Sequence, residues 1–237
     1  MRTQLPFITR VEGKCVFERL SPDDTMLVQA PKGKIIYAYD QLASYVYHLH
    51  SGLVAGVRIT RAGHQVVDLF VPNQFIGLIG FMDMYSDNVR THLGEGRAIT
   101  PVTYCRVRRE IMWKIMDDQQ SRAEIVNMLC NQALSRGLLM SSPLKSDVST
   151  RIIRVMRLLE QSVGKQAGEE TVIIEDISHG DIALIANTTR STVTRTLDKL
   201  EKAGILLVNP RKITICDNNS FLDPVCNQRI KSLLQIQ

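Results

Sequence analysis

The stretch "DIALIANTTRSTVTRTLDKLEKAGIL", residues 181–206, decides how this chain is read. Ser178, just ahead of it, is followed three residues later by Asp181, the pattern of a helix N-terminal cap. It predicts a helix of about two turns through Ile182 and Ile185. Asn187 stands where the chain must turn sharply, and Asn tolerates left-handed backbone better than most residues. A second helix is expected to begin near Thr189 and to stop at Gly204, a fitting C-terminal cap. Its inner stripe is Val193, Leu197 and Leu200. At about 100° per residue, Thr188, Ser191 and Arg195 then point away from that stripe, with Arg190 on the flank of the first turn. Two helices, a short turn, and a second helix that opens with hydroxyls and guanidiniums describe a helix-turn-helix. Such a helix fits the major groove of double-stranded DNA, where Arg can fork onto the O6 and N7 of guanine.

After Gly204, "ILLVNPRKITICD" reads as a strand, a turn at Asn209-Pro210, a basic pair and a second strand. This is the form of a wing, with Arg211 and Lys212 placed to meet phosphates. From 190 to 212 there are six basic residues (Arg190, Arg195, Lys199, Lys202, Arg211, Lys212) and two acids (Asp198, Glu201). That local excess says more than the formal charge of +5 on the whole 237-residue chain. The DNA-contact set expected from these segments is Thr188, Thr189, Arg190, Ser191, Thr192, Arg195, Arg211 and Lys212.

Upstream, residues 1 to about 108 read as short strands. "GKIIYAYD", "YVYHLHSG", "LVAGVRITRAG", "QVVDLFV" and "AITPVTYCRV" are β-branched or aromatic runs punctuated by Gly, Pro, Asn or Asp. Their spacing suggests a jelly-roll or barrel, and "RAGHQ" looks like a hairpin turn. From Arg109 the period becomes helical, in one or two helices. A near-heptad seam at Ile125, Met128, Leu129, Gln132, Ala133 and Leu139 suits either a dimer coiled coil or a helix packed on its own domain. "SSPLKSDVS" marks a boundary, and "TRIIRVMRLLEQSV" a further helix with Ile152, Ile153, Met156, Leu158 and Leu159 inward. The fold class expected is α+β: a β-roll over 1–115, a long dimerisation helix and hinge over 116–142, and a winged helix-turn-helix over 143–237.

The N-terminus has no apolar run of signal-peptide length and nothing downstream is long enough to span a bilayer, so a cytoplasmic protein with no membrane partner is expected. The five cysteines (Cys15, Cys105, Cys130, Cys216, Cys226) are scattered and form no CxxC pair. That argues against a zinc or iron–sulfur site held by one segment and for small, reduced, mostly buried thiols, with redox sensing by Cys105 or Cys130 left open. His48 and His50 alternate around Leu49, His64 falls in an expected turn and His92 in an expected loop. Surface or partly satisfied roles are expected for them, and no axial haem pair can be argued.

The order of these parts resembles the Crp/Fnr family of bacterial transcription regulators over nearly the whole chain. "QFIGLIGF" looks like that family's "DFIGELGLF", "YVYHLHSG" like its strand ending in "KG", and "TTRSTVTRTLDKLEKAGIL" like its recognition helix. The resemblance places Arg190 and Arg195 on its two DNA-contacting arginine positions and Ser191 where a base-reading Glu is common. Glu accepts from cytosine N4, whereas Ser serves either base, so the half-site is expected to differ. The pattern R-x-T-V-T-R at 190–195 is closer to the cyanobacterial nitrogen-regulator branch.

The resemblance also implies an effector pocket, with Gly77, Leu78, Gly80, Arg90 and Thr91 as candidates. In the cyclic-nucleotide branch a Glu binds the ribose and an Arg-Ser pair neutralises the phosphate. Here the Glu position is Leu78, and Arg90 and Thr91 come only at altered spacing. Leu78 would leave ribose hydroxyls unpaired, so cyclic AMP is not the expected effector and none is identified. Gly77 and Gly80 read as scaffold turns. No cofactor and no metal site is evident. The family further implies a homodimer on a palindromic DNA site. It usually implies activation through RNA polymerase, while repression by site blockade suits the same residues. A catalytic role is not expected. Two other classes compete: a cupin-like metal protein, which would need a His/Glu cluster on facing strands, and an interaction module that never meets DNA.

Overall fold

The computed structural model describes residues 17, 20–21, 23–60, 63–78, 90–140, 147–167 and 172–216. It divides into two compact units, Thr9–Gly137 and Leu138–Gln237 together with Met1–Ile8, so the division falls inside a helix.

The first unit is a roll of two four-stranded antiparallel sheets. One has the order β1 (Thr25–Ala30), β8 (Val102–Arg108), β3 (Tyr45–Ser51), β6 (Phe75–Ile76). The other has β2 (Ile35–Tyr37), β7 (Glu95–Ala98), β4 (Val54–Thr60), β5 (Gly63–Phe70). Alternation along the strands sends one set of side chains between the sheets: Tyr47, Leu49, Val54, Phe70, Ile76, Val102 and Tyr104 pack there with Tyr37. The opposite face of β3 and β8 carries Val46, Cys105 and Val107. These join Phe17, Phe75, Met112, Ile115 and Ile125 in a second apolar cluster under α1 (Arg109–Asp117) and α2 (Gln119–Met140).

Several expected elements differ in detail. "AITPVTYCRV" holds parts of two strands, with Ile99–Pro101 between β7 and β8. His64 belongs to β5 rather than to a turn. His48 and His92 are buried, not at the surface. Burial, joined for His48 by neighbouring His50, pushes each pKa down to about 4, so both rings are uncharged at neutral pH. β1 was not expected at all. The tail from 217 onward and Gly80 lie outside the described residues.

Of the two readings of the helical seam, its first part follows packing on the chain's own domain. α1 ends at Asp118, whose carboxylate accepts from the Ser121 N–H at 2.8 Å and starts α2. Ile125, Met128 and Leu129 face the roll's own cluster. Gln132 does the same for a polar reason. β6 is a sheet edge, and the N–H of Phe75 donates to Gln132 Oε1 at 3.0 Å while Gln132 Nε2 donates to the Phe75 carbonyl at 2.8 Å. One buried side-chain amide thus stands in for the missing neighbouring strand and fastens α2 to the sheet. Outside this contact Val126, Cys130, Ala133 and Leu134 form an exposed ridge along α2.

The second unit packs α3 (Val148–Val163), α4 (His179–Ile185) and α5 (Arg190–Lys202) with an antiparallel sheet. The sheet has the order β11 (Leu206–Asn209), β12 (Lys212–Ile215), β10 (Val172–Glu175), β9 (Lys165–Gln166). Asp147 caps α3; partial burial pushes its carboxyl up, but the Thr150 hydroxyl at 2.6 Å and the N–H groups of Thr150 and Ser149 all donate to it and together hold it below the usual range. Ile152, Ile153, Met156, Leu158 and Leu159 are buried.

Gln132→Ala would remove both hydrogen bonds that this side chain makes to the buried backbone of Phe75. It is expected to cost about 1–3 kcal/mol in a urea unfolding titration, and a change near zero would mean that water replaces the amide.

Candidate nucleic-acid interface

Each feature of the 181–206 stretch has a local cause. Ser178 and Asp181 form a reciprocal capping box at the start of α4. Asn187 takes a left-handed φ of 50°, which lets the chain leave α4 and re-enter a helix three residues later. The Thr188 N–H closes the turn on the Ala183 carbonyl at 2.9 Å. Thr189 caps α5 by accepting from the Thr192 N–H at 3.2 Å. At the far end Gly204, with φ 72°, terminates α5, and the Ile205 N–H returns to the Leu200 carbonyl.

The inner stripe of Val193, Leu197 and Leu200 is fully buried, and Thr196 beside it turns its hydroxyl back to the Thr192 carbonyl. Arg190, Ser191 and Arg195 are exposed. Thr188 and Thr192 are half-buried. The hydroxyls of Thr189, Ser191 and Thr192 share one hydrogen-bonded cluster, with both contacts to Thr189 Oγ1 at 2.9 Å. Thr189 and Thr192 are thus first of all helix-cap residues, whereas the guanidiniums of Arg190 and Arg195 stand in solvent.

The wing hairpin pairs Asn209 with Lys212, leaving Pro210 and Arg211 as the two turn residues. Pro fixes the first corner, and Arg211 takes the left-handed φ of 61° that the second corner of a type II turn demands. The Asp176 N–H donates to the Arg211 carbonyl at 2.8 Å, tying the tip to β10. Arg211 and Lys212 are both exposed. Lys212 lies opposite Glu175, which is also paired with Lys165 at 2.5 Å, so its field is partly offset by an acid.

Three positioning residues escape inspection of the segment itself. Arg151 on α3 donates from Nε to the Ala186 carbonyl at 3.0 Å and from Nη2 to the Asn187 carbonyl at 3.4 Å, pinning the turn from behind. His179 Nδ1 lies 2.9 Å from the Thr194 hydroxyl, linking the two helices, and burial followed by the charge of Arg190 lowers its pKa. Glu201 accepts from the Val208 N–H at 2.8 Å and joins α5 to the wing. Only the capping box has a sequence pattern; these three contacts depend on tertiary neighbours.

Of the expected effector residues, Gly77, Leu78, Arg90 and Thr91 lie among the described residues. Gly77, at φ 71°, sits against Tyr47 and His92, and His92 stacks on Tyr37 with centroids 4.1 Å apart. Leu78 packs instead on the apolar cluster beneath α1 and α2. Thr91 bridges to Leu42, and Arg90 is exposed beside it, its carbonyl accepting from the Ala43 N–H. Among the described residues the position expected to grip a ribose therefore holds a hydrocarbon turned toward a core. A Leu there offers the hydroxyls of a ribose no acceptor.

Residues 27–119 match the cyclic nucleotide-binding domain and residues 150–221 the Crp-like helix-turn-helix domain. The chain belongs to the Crp/Fnr family of transcription regulators. Among curated relatives it is 25% identical to a global nitrogen regulator of Synechococcus elongatus, over 79% of this chain and 84% of the relative. It is 24% identical to the regulatory protein HlyX of Actinobacillus pleuropneumoniae, over 78% and 75%. Among solved structures, FixK2 from Bradyrhizobium japonicum superposes with a TM-score of 0.68 at 20% identity, covering 83% of this chain and 95% of that one. TTHB099, a regulator from Thermus thermophilus, gives 0.69 at 17% identity, covering 82% and 94%. In this Crp/Fnr chain no helix among the described residues is long and apolar enough to cross a membrane, and no group of three or more His, Cys, Asp or Glu there could hold a metal ion.

Thr189→Ala removes the acceptor at the start of α5 and is expected to cost about 1 kcal/mol of stability by thermal unfolding, with Thr189→Ser restoring most of it. An unchanged midpoint would mean that water replaces the Thr189 hydroxyl at the Thr192 N–H.

Proposed function

We propose that this chain is a non-enzymatic, cytoplasmic transcription regulator that binds a palindromic DNA site as a homodimer. The observation that carries this reading is the division of α5, with Val193, Leu197 and Leu200 buried while Arg190, Ser191 and Arg195 are exposed. Arg190 and Arg195 read base edges, and Ser191 reads beside them without the selectivity of a carboxylate. Thr188, Thr189 and Thr192 hold the start of the helix against the backbone. Arg211 and Lys212 on the wing contact phosphates, which fixes register and makes affinity depend on salt.

Homodimerisation is supported by the ridge Val126, Cys130, Ala133 and Leu134. It follows helical spacing on α2, and Leu134 is 53% exposed. A second copy of α2 would cover it, relating two recognition helices by a two-fold axis about 34 Å apart, one turn of DNA. The effector is unidentified, and Leu78 argues against cyclic AMP. Any effector switches the protein only by binding DNA-competent and incompetent arrangements unequally. Contact with RNA polymerase would make the bound dimer an activator, and occupation of a promoter a repressor.

Selection of bound duplexes from a random pool tests the reading. A two-fold symmetric site is expected, and failure to retain any duplex even at low salt would overturn it. Arg195→Ala is expected to abolish selection of that site, by about 1–3 kcal/mol per lost base contact, while leaving thermal unfolding unchanged. An unaltered footprint would mean that this face of α5 does not read bases. Lys212→Ala is expected to weaken all sequences alike and to reduce the salt slope by about one. A changed base preference would remove the wing from the phosphate backbone.

A further inference from the structure

The roll carries a nucleophile and a base that neither the DNA-facing helix nor the dimer ridge uses. Strands β3 and β8 pair His48 with Cys105 and Leu49 with Tyr104, but Ser51, not His50, meets Thr103. His50 is therefore the extra residue of a β-bulge, a device that re-aims a side chain. The ring it re-aims comes to rest with Nε2 2.8 Å from Cys105 Sγ. His48 packs edge-on against His50, with ring centroids 5.1 Å apart. Cys105 is only 6% exposed and belongs to the cluster of Val46, Phe75, Met112, Ile115 and Ile125, whereas His50 is half-buried and reaches the surface. A cysteine that served only as a small apolar filler would need no imidazole on its sulfur. A thiol within hydrogen-bond reach of a base is the arrangement of an activated nucleophile.

We propose that Cys105 and His50 form a hydroperoxide-reactive thiol site whose oxidation loosens the contact between the roll and α1 and α2. His50 Nε2 takes the thiol proton, and the sulfur attacks one oxygen of the peroxide. The S–O bond forms as the O–O bond breaks, and the leaving oxygen recovers the proton from His50. The products are a cysteine sulfenic acid and, from hydrogen peroxide, one water. Sulfur gives up two electrons and the peroxide accepts them. His48, kept uncharged by its burial, does not compete with His50 for the proton. His50 can hydrogen-bond the new S–OH group, but the added oxygen also enlarges and polarises a side chain held in the apolar cluster of Met112, Ile115 and Ile125, which loosens that cluster. Of the two helices over that cluster, α2 is the one that Gln132 fastens to β6. The thiol chemistry is independent of the DNA-binding proposal.

The test uses the reduced full-length protein without DNA. It is exposed to hydrogen peroxide in the presence of a cyclic 1,3-dione that traps sulfenic acid, and each cysteine peptide is quantified by mass spectrometry. Cys216, half-buried in the second unit and away from the ridge on α2, is the internal standard. In the native protein Cys105 is expected to be trapped faster than Cys216 despite its deeper burial, and a slower Cys105 overturns the proposal. His50→Gln is expected to reduce the Cys105 rate by about tenfold or more, leaving Cys216 unchanged. An unaltered Cys105 rate overturns the role of His50, as does an equal fall at both cysteines. Should the Gln variant unfold, His50→Asn and the native comparison of the two cysteines decide the matter. Hydrogen exchange should quicken in α1 once Cys105 is oxidised, and identical exchange overturns the coupling.

Discussion

The burial of three aliphatic side chains on one stripe of α5 governs what the rest of the second unit can present. Val193, Leu197 and Leu200 each lose all contact with water, worth about 1.5–3 kcal/mol apiece. The helix cannot rotate about its axis without surrendering that burial. Whatever lies opposite the stripe is therefore held outward whether or not it has a partner there, and in this chain that is Ser191 and Arg195. Capping at Thr189, the left-handed Asn187 and the forked Arg151 then set where along its axis the helix begins. Orientation comes from hydrocarbon and position from hydrogen bonds.

The same division of labour appears in the roll. Alternation along β3 and β8 sends Tyr47, Leu49 and Tyr104 between the sheets and Val46, Cys105 and Val107 beneath the helices. Gln132 adds the polar anchor that a hydrophobic contact cannot supply, because it fixes one register of α2 against one residue of β6. Between the sheets Tyr37 packs on both Tyr47 and His92, so aromatic rings carry part of this interior.

What could be read from sequence follows the range of the interactions involved. The capping box, the turn at Asn187, the stop at Gly204 and the outward disposition of Arg190 and Arg195 all arise within a few residues, and spacing alone makes them visible. β1 was invisible because it is an edge strand, with Met26 and Leu27 exposed and no clean alternation to mark it. Gln132 fell on the inward stripe by periodicity, but its purpose depends on a strand 57 residues away. His48 and His92 were expected outside because imidazole is polar, whereas the neutral ring packs well against Phe17, Phe75 and Tyr37. Arg151 reaches the turn from another helix, and no local pattern announces it.

Arg211 illustrates a conflict of selective pressures. Glycine at this wing tip would relieve the backbone of an unfavourable conformation, yet it would delete a cation from the surface proposed to face phosphate. Retaining a long charged side chain in a glycine's place sacrifices some folding stability for reach.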